Sequence, residues 1–229
     1  MKKAAYWLHE ALGYLLRGVL RVLVVLAFRP KRCFVSEKAR AEAFREPMVI
    51  ISNHVRGMDG AVMQTLMPLD RRVYSLSAKD LMDKSPALRR FLGFCRIIPV
   101  DREHPSMSWL RDSRKLLRGG CHIYLCPEGY CHRDKAMRPF KPGFVTLAAS
   151  AGVKVLPIYH NGEYHFFFGK RFRMMVGEPI TLVPPPEGLR GEVMQQECRE
   201  ALQVMRELER RLNGFVKTAP DTAEFLCRD

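Results

Sequence analysis

Short apolar runs alternate with helix-like segments along most of the chain, and this alternation limits the possible folds more than any other feature. Five runs have the length and composition of strands: 48–52, 73–78, 121–126, 153–159 and 172–176. Five other segments are predicted helices: 60–68, 86–93, 105–118, 143–151 and 191–213. Such alternation is typical of an α/β layer, so we expect an α/β domain with a mixed, largely parallel sheet flanked by helices.

The chain divides most simply into one domain with an appendage at each end. Its 229 residues can bury a sizeable core, and no internal repeat is visible. We expect an N-terminal membrane-associating helical segment over residues 1–32, the α/β domain over 33–216 and a C-terminal tail over 217–229.

The N-terminal segment is apolar but interrupted by charge. Between Ala4 and Phe28 the ionisable interruptions are His9, Glu10, Arg17 and Arg21. The longest uncharged run therefore falls short of the roughly 20 apolar residues of a transmembrane helix, and an interfacial or shallowly inserted helix is expected. The alternative is a helix packed on the domain's own core.

Basic residues dominate the same segment. Against Glu10 alone stand seven cations: Lys2, Lys3, Arg17, Arg21, Arg29, Lys31 and Arg32. Each cation near an anionic leaflet contributes about 1 kcal/mol of binding. We therefore expect an anionic membrane surface as a partner and a peripheral or monotopic location on the cytoplasmic face of the cell membrane.

The whole chain is also basic, with a net charge of +14 and a pI near 9.8. This charge implies an anionic partner. No Gly-rich phosphate loop and no nucleic-acid motif with interleaved aromatic residues accompanies it, so nucleic acid is not expected.

The cysteines indicate reduced thiols rather than a disulfide framework. There are seven, an odd number, and no two form a CxxC pair, which fits a cytosolic location. Cys121, Cys126 and Cys131 lie near His122 and His132, but their spacings match no usual zinc site. No metal is expected.

A histidine and an aspartate five positions apart, His54 and Asp59, follow the first predicted strand. Residues five apart on a regular helix do not face each other, so the pair can meet only if the chain turns between strand and helix. A carboxylate that accepts one ring N–H would fix the tautomer of His54 and strengthen its other nitrogen as a base. A polar loop with an incidental His and Asp is the alternative.

Three further blocks follow this HxxxxD pair in order: IPVDR at 98–102, LCPEG at 125–129 and VLPIY at 155–159. With these four blocks, residues 48–180 resemble the glycerolipid acyltransferases, most closely the bacterial 1-acylglycerol-3-phosphate acyltransferases. Four ordered blocks are far more specific than any one of them. The resemblance implies that His54 is the general base of acyl transfer and that Asp59 orients it.

The resemblance also implies substrate-binding residues. Arg102 would bind the acceptor's phosphate, because a guanidinium binds phosphate oxygens bidentately. Glu128 and Gly129 would shape the acceptor pocket, and Pro157 would belong to an acyl or thioester-carrier site. The alternatives are a solvated arginine, a structural glutamate that holds backbone N–H groups, and a buried parallel strand around Pro157.

One block departs from the family pattern. After Glu-Gly the family usually continues Thr-Arg-Ser, whereas this chain has Tyr130-Cys131-His132. A cation expected on the phosphate is missing from that position. Either Arg133, Arg138 or Lys141 replaces it, or the acceptor head group differs.

The expected function is transfer of an acyl chain from acyl-CoA or acyl-carrier protein to a lysophospholipid hydroxyl, with 1-acyl-sn-glycerol-3-phosphate as the first candidate acceptor. The acyl donor is a co-substrate, and no other cofactor is expected. One alternative is acylation of another lysolipid, such as an amino-acid-linked one. Another is a noncatalytic membrane lipid-binding protein that retains the frame of the fold.

Overall fold

The computed structural model describes residues 2–101, 107–182 and 191–218. Within these ranges eight helices are present: α1 (Lys2–Phe28), α2 (Glu37–Glu42), α3 (Asp59–Leu66), α4 (Lys79–Asp83), α5 (Pro86–Phe94), α6 (Ser108–Arg118), α7 (Gly143–Ala151) and α8 (Gly191–Thr218). The same ranges contain seven strands: β1 (Lys31–Phe34), β2 (Met48–Ser52), β3 (Val73–Ala78), β4 (Ile97–Val100), β5 (His122–Leu125), β6 (Lys154–His160) and β7 (Arg173–Val176).

These strands form one sheet in the order β1-β7-β6-β2-β5-β3-β4. Every neighbouring pair is parallel except β6 and β7, which are antiparallel. The prediction of a mixed, largely parallel sheet flanked by helices is confirmed.

The central strand β2 is buried along its whole length, because helices cover both faces of the sheet. Successive side chains of a strand point to opposite faces. Val49 and Ile51 accordingly pack in one cluster with Phe144 of α7, while Ile50 packs on the other face with Met63 of α3. The loop after β2 is therefore held by a rigid support.

The five predicted strands are confirmed to within one residue at each end, but β1 and β4 were not predicted. Both lie at the edges of the sheet. β1 carries Lys31 and Arg32, and β4 carries Pro99, which an edge strand tolerates because one side of it needs no ladder bond. β1 begins at Lys31, so the predicted domain boundary after residue 32 falls inside the sheet. The short helices α2 and α4 were also not predicted.

Three charged side chains of α1, those of Glu10, Arg17 and Arg21, face the domain. The carboxylate of Glu10 pairs with Arg96 at 2.5 Å, and the guanidinium of Arg17 donates to the carbonyl of Phe94 over 2.8 Å. Arg21 donates over 2.8 Å to the carbonyl of the residue that follows α3. The expectation that Arg17 and Arg21 lie against an anionic leaflet is therefore wrong, because backbone carbonyls at helix ends accept their hydrogen bonds.

The opposite face of α1 is apolar and exposed. Its exposed side chains are Trp7, Leu8, Leu12, Tyr14, Leu15, Val19, Val22, Leu23, Val25 and Leu26. We call this set the outer face of α1. The 19-residue stretch Glu10–Phe28, with a mean hydropathy of 1.9, is long and apolar enough to cross a membrane by length and composition. Its inward charges fit instead a helix that lies on the domain.

Candidate active site

The loop between β2 and α3 brings His54 and Asp59 together. β2 ends at Ser52 and α3 begins at Asp59, so the chain turns between the two side chains as predicted. The Nδ1 atom of His54 lies 2.9 Å from Oδ2 of Asp59. Because the carboxylate accepts a hydrogen bond from the Nδ1–H group, the Nε2 atom is left as the basic nitrogen of the ring.

Asp59 is fully buried, yet four donors surround its carboxylate. The backbone N–H groups of Val55 and Arg56 donate to Oδ2 over 2.6 and 2.7 Å, beside the ring of His54. The hydroxyl of Tyr164 donates to Oδ1. The carboxylate is therefore fixed in orientation from both of its oxygens.

These contacts also determine the protonation state of Asp59. Burial alone would raise the pKa of Asp59, but the hydrogen bond with His54 and the hydrogen bonds from Tyr164 and the Arg56 backbone lower the pKa below its ordinary value. Asp59 is thus ionised at neutral pH. An anion next to Nδ1 stabilises the imidazolium that forms when Nε2 takes a proton.

Glu128 links the loop between β2 and α3 to the segment that follows β5 through hydrogen bonds. One of its oxygens accepts from the backbone N–H of His54 and the other from that of Arg138, each over 2.9 Å. The backbone N–H of His132 donates in turn to the carbonyl of His54 over 2.8 Å. Burial raises the pKa of Glu128, although these N–H groups act against the rise. The contacts fit the structural interpretation of Glu128.

Asn53 and His160 join the ends of β2 and β6. The Asn53 amide donates to the carbonyl of His160 over 2.9 Å, and the His160 backbone N–H donates to the Asn53 side-chain oxygen over the same distance. The His160 ring donates from Nε2 to the Asn53 carbonyl at 3.0 Å. Burial lowers the pKa of His160, so the ring is neutral at physiological pH.

A cavity of about 360 Å³ opens beside His54, at the carboxyl-terminal side of β2, β3 and β5. Ligands of open parallel sheets bind at this edge. Most of its wall is apolar and includes Leu76, Leu81, Leu92, Ile97, Val100 and Phe144. Among the lining residues that the structure describes, Lys141 is the single lysine or arginine. The cavity therefore suits an apolar chain that carries an anionic group near one end.

Gly129 and Lys141 are predicted site residues that line this cavity. Gly129 has a φ of +81°, in the left-handed region that favours glycine. A Cβ atom there would lie 2.8 Å from Nζ of Lys141, so a larger residue would displace the lysine. The lysine nitrogen lies 4.6 Å from the ring centroid of Tyr130, one of the residues that departs from the family pattern.

The remaining predicted residues lie elsewhere. Arg133 is exposed and outside the cavity, and the guanidinium of Arg138 pairs with Asp134. Pro157 lies within buried β6 opposite Ile51 and outside the cavity, which fits the buried-strand interpretation rather than a substrate contact. Arg102 lies outside the described residues.

The thiol of Cys126 lies next to the site but is not activated. Burial raises its pKa to about 12, so the thiol is protonated at neutral pH and a poor nucleophile. In the described part of the chain, no three His, Cys, Asp or Glu side chains are grouped as metal ligands would be. The groups arranged for chemistry are the histidine and its carboxylate.

The chain is similar to known proteins in family, in sequence and in fold. Residues 32–161 match the family described as Acyltransferase. The chloroplastic 1-acyl-sn-glycerol-3-phosphate acyltransferase BAT2 of Brassica napus is 30% identical over 114 residues, which cover 49% of this chain and 32% of that protein. The human 1-acyl-sn-glycerol-3-phosphate acyltransferase alpha is 27% identical over 148 residues, 64% of this chain and 52% of that protein.

The chain thus spans about a third to a half of the length of these curated relatives. Among solved structures, the 1-acyl-sn-glycerophosphate acyltransferase PlsC from Thermotoga maritima superposes with a TM-score of 0.57 at 18% identity. The match covers 85% of this chain and 76% of that one. At this identity the likeness shows a shared fold.

Proposed function

Since this chain belongs to the acyltransferase family, which its residues 32–161 match, we propose that it transfers a fatty acyl chain from a thioester donor to the free hydroxyl of a lysophospholipid. The donor is acyl-CoA or acyl-carrier protein, and the acceptor is 1-acyl-sn-glycerol-3-phosphate, so the product is phosphatidate. The observation that carries the proposal is the His54–Asp59 pair beside an apolar cavity with one lysine in its wall.

The proposed reaction needs no group beyond the two substrates and this pair. An alcohol at neutral pH is almost entirely protonated, so Nε2 of His54 removes the hydroxyl proton as the oxygen attacks the thioester carbonyl. The tetrahedral intermediate collapses, the C–S bond breaks, and the thiolate takes the proton from the imidazolium. Asp59 stays deprotonated throughout and orients the His54 ring through its hydrogen bond with Nδ1.

The apolar wall of the cavity supports an acyl chain as its occupant. Leu76, Leu81 and Ile97 would bury methylene groups, and each buried CH₂ contributes about 0.8 kcal/mol. The reacting carbonyl would then lie near His54. Lys141, in the wall of the same cavity, would neutralise an anionic group of either substrate.

We propose Lys141 and Arg102 as the cations that bind the acceptor's phosphate. Lys141→Ala is expected to raise the KM for the acceptor about 10- to 100-fold, because a hydrogen bond to a charged group contributes about 1.5 to 3 kcal/mol, with a much smaller effect on the donor. Arg102→Ala should act in the same direction. Steady-state kinetics with each substrate varied in turn measures both effects.

Arg133→Ala is the matched control for Lys141→Ala. Arg133 carries the same charge in the same segment but is exposed and outside the cavity, so its loss should leave both KM values unchanged. If Arg133 binds the phosphate instead, Arg133→Ala would raise the KM for the acceptor and Lys141→Ala would not. Equal effects of Lys141→Ala on donor and acceptor would place the lysine on the donor's side of the reaction.

The proposal is tested by a panel of lysolipid acceptors assayed by mass spectrometry with acyl-CoA and with acyl-carrier protein. We expect acylation of 1-acyl-sn-glycerol-3-phosphate with at least one donor. Exclusive acylation of an amino-acid-linked lysolipid would favour the alternative acceptor. That alternative is suggested by Tyr130-Cys131-His132, which stand where the family usually has Thr-Arg-Ser. No acylation of any lysolipid by folded protein would favour a noncatalytic lipid-binding protein.

We also propose that the protein is bound to the cytoplasmic face of the cell membrane through α1. The support is the outer face of α1, a large apolar surface on a helix whose Glu10, Arg17 and Arg21 side chains contact the domain. Soluble monomers rarely expose apolar patches of this extent. The net charge of +14 favours an anionic surface.

A further inference from the structure

The segment between β6 and β7 exposes three consecutive phenylalanines. Phe166, Phe167 and Phe168 are 63%, 59% and 87% exposed. Single exposed apolar residues are common on proteins, but three adjacent aromatic side chains form a patch that usually marks an interaction site. We call Phe166–Phe168 the aromatic loop.

This loop lies against the end of α1. The backbone N–H of Phe167 donates to the carbonyl of Ala27 over 2.8 Å, and the ring of Phe166 lies 5.1 Å from that of Phe28, centroid to centroid. Leu26, which precedes Ala27 in α1, belongs to the exposed outer face of the helix. The aromatic loop and the outer face of α1 are therefore neighbouring parts of one apolar surface.

Basic groups border the loop. Lys170 is largely exposed, and Arg29 donates to the carbonyl of Gly169 over 2.7 Å. Aromatic rings beside cations are typical of the interface between water and a bilayer, where the rings enter the acyl boundary and the cations remain among the head groups. A protein partner's apolar groove would not require cations at the rim.

The same segment reaches the active site. Tyr164 lies two residues before the aromatic loop, donates its hydroxyl to Asp59, and packs its ring edge-on against Phe28 at a centroid distance of 5.4 Å. Phe28 ends α1. A short stretch of chain thus connects the apolar surface to the carboxylate that orients His54.

We infer that the aromatic loop inserts into the interfacial region of a phospholipid bilayer as a second membrane contact beside α1. The inference rests on the proposed function, since a lysophospholipid acceptor resides in such a bilayer. A second contact beside the end of α1 limits rotation of the domain about the helix axis on the membrane, which one helix alone does not. The rotation set by the loop brings the Tyr164–Asp59 side of the domain to the lipid surface.

The first test is binding to vesicles of mixed phosphatidylcholine and phosphatidylglycerol. Phe167→Ser/Phe168→Ser is expected to weaken binding by about tenfold or more, because burial of an apolar side chain of this size contributes that much to affinity. Phe167→Leu/Phe168→Leu is the matched control and should bind nearly as the unsubstituted protein does. Equal binding by all three proteins would overturn the inference.

The second test does not depend on the stability of the serine variant. Phe168→Trp is mixed with vesicles that contain brominated lipids, and the emission of the unsubstituted protein, which already has Trp7 and Trp109, is subtracted. The added tryptophan should shift its emission to the blue and be quenched by shallow bromine labels. An added signal that stays unshifted and unquenched would show that the loop remains in water.

A third measurement separates this inference from the proposed function. The serine variant should keep its activity on a short-chain, water-soluble acceptor while its activity on a bilayer-embedded acceptor falls. Quenching of the added tryptophan in a protein without acyltransferase activity would support the loop and refute the proposed reaction. Loss of both activities in a folded serine variant, with vesicle binding intact, would count against the loop as a lipid contact.

Discussion

His54→Ala is expected to lower the rate of acyl transfer about 100- to 10,000-fold, which is the usual contribution of a positioned general base. The variant loses the nitrogen that takes the hydroxyl proton, and no other described group beside the cavity replaces it at neutral pH, since the Cys126 thiol is protonated. The rate should be measured at saturating donor and acceptor, because the loss belongs to the chemical step.

His132→Ala is the control for that substitution. This histidine lies in the segment after β5, its backbone N–H donates to the carbonyl of His54 and is retained by alanine, and its ring lies 3.8 Å from Glu128 without contacting the base. Its activity should be close to that of the unsubstituted protein. Asp59→Asn should lose less than His54→Ala, because the base remains but is held less well. A folded His54→Ala protein with normal turnover would rule out the proposed mechanism.

The second large effect is expected from Leu15→Glu/Leu23→Glu on the outer face of α1. Both side chains are exposed, so the domain should fold normally. A charged residue within an apolar membrane helix costs about 2.5 to 3.5 kcal/mol, and two such costs should weaken vesicle binding by about 4,000- to 100,000-fold. Flotation with vesicles measures the loss, and circular dichroism checks the fold.

Leu15→Met/Leu23→Met is the matched pair, since methionine keeps the surface apolar, and it should float with vesicles. Substitution is a cleaner test than removal of residues 1–30. Removal would also delete Phe28, which is buried in the core, and would leave Arg96 without Glu10. If the glutamate variant floats fully with vesicles, the main membrane contact lies outside the outer face of α1.

The buried strands were predictable because their environment is uniform along the strand. β2 and β6 lie between helices on both faces, so their sequences are continuous apolar runs with sharp ends. The edge strands β1 and β4 were not predictable in this way, because one side of each is open and polar residues and proline are tolerated there. The strands buried on both faces were thus predictable from the sequence, and the two edge strands were not.

The orientation of α1 was beyond sequence reasoning for a different reason. The spacing of Glu10, Arg17 and Arg21 places these residues near one face of the helix. It does not say whether that face meets water, head groups or the domain. The partners of the two arginines are backbone carbonyls around residues 67 and 94, and no sequence signal marks a carbonyl as unpaired.

In the active site, the residues close to each other in sequence were predictable and the distant ones were not. His54 and Asp59 are close in sequence, so their chemistry and the turn between them were predictable from residue type and spacing. Tyr164 is 105 positions from Asp59, and nothing in its neighbourhood marks it as a partner of that carboxylate. The role of Glu128 was left open by the sequence because a buried carboxylate serves a substrate or a backbone equally well.

The groups that hold the HxxxxD loop come from 74 to 107 positions further along the chain. Their order in the chain has a consequence for folding. Contacts between distant parts of a chain form slowly, because the loop between them must first be closed. The His54 and Asp59 side chains gain their fixed geometry only when β5 and β6 have docked on either side of β2. We therefore expect catalytic competence to be a late event in folding, reached after the local helices have formed and together with completion of the centre of the sheet.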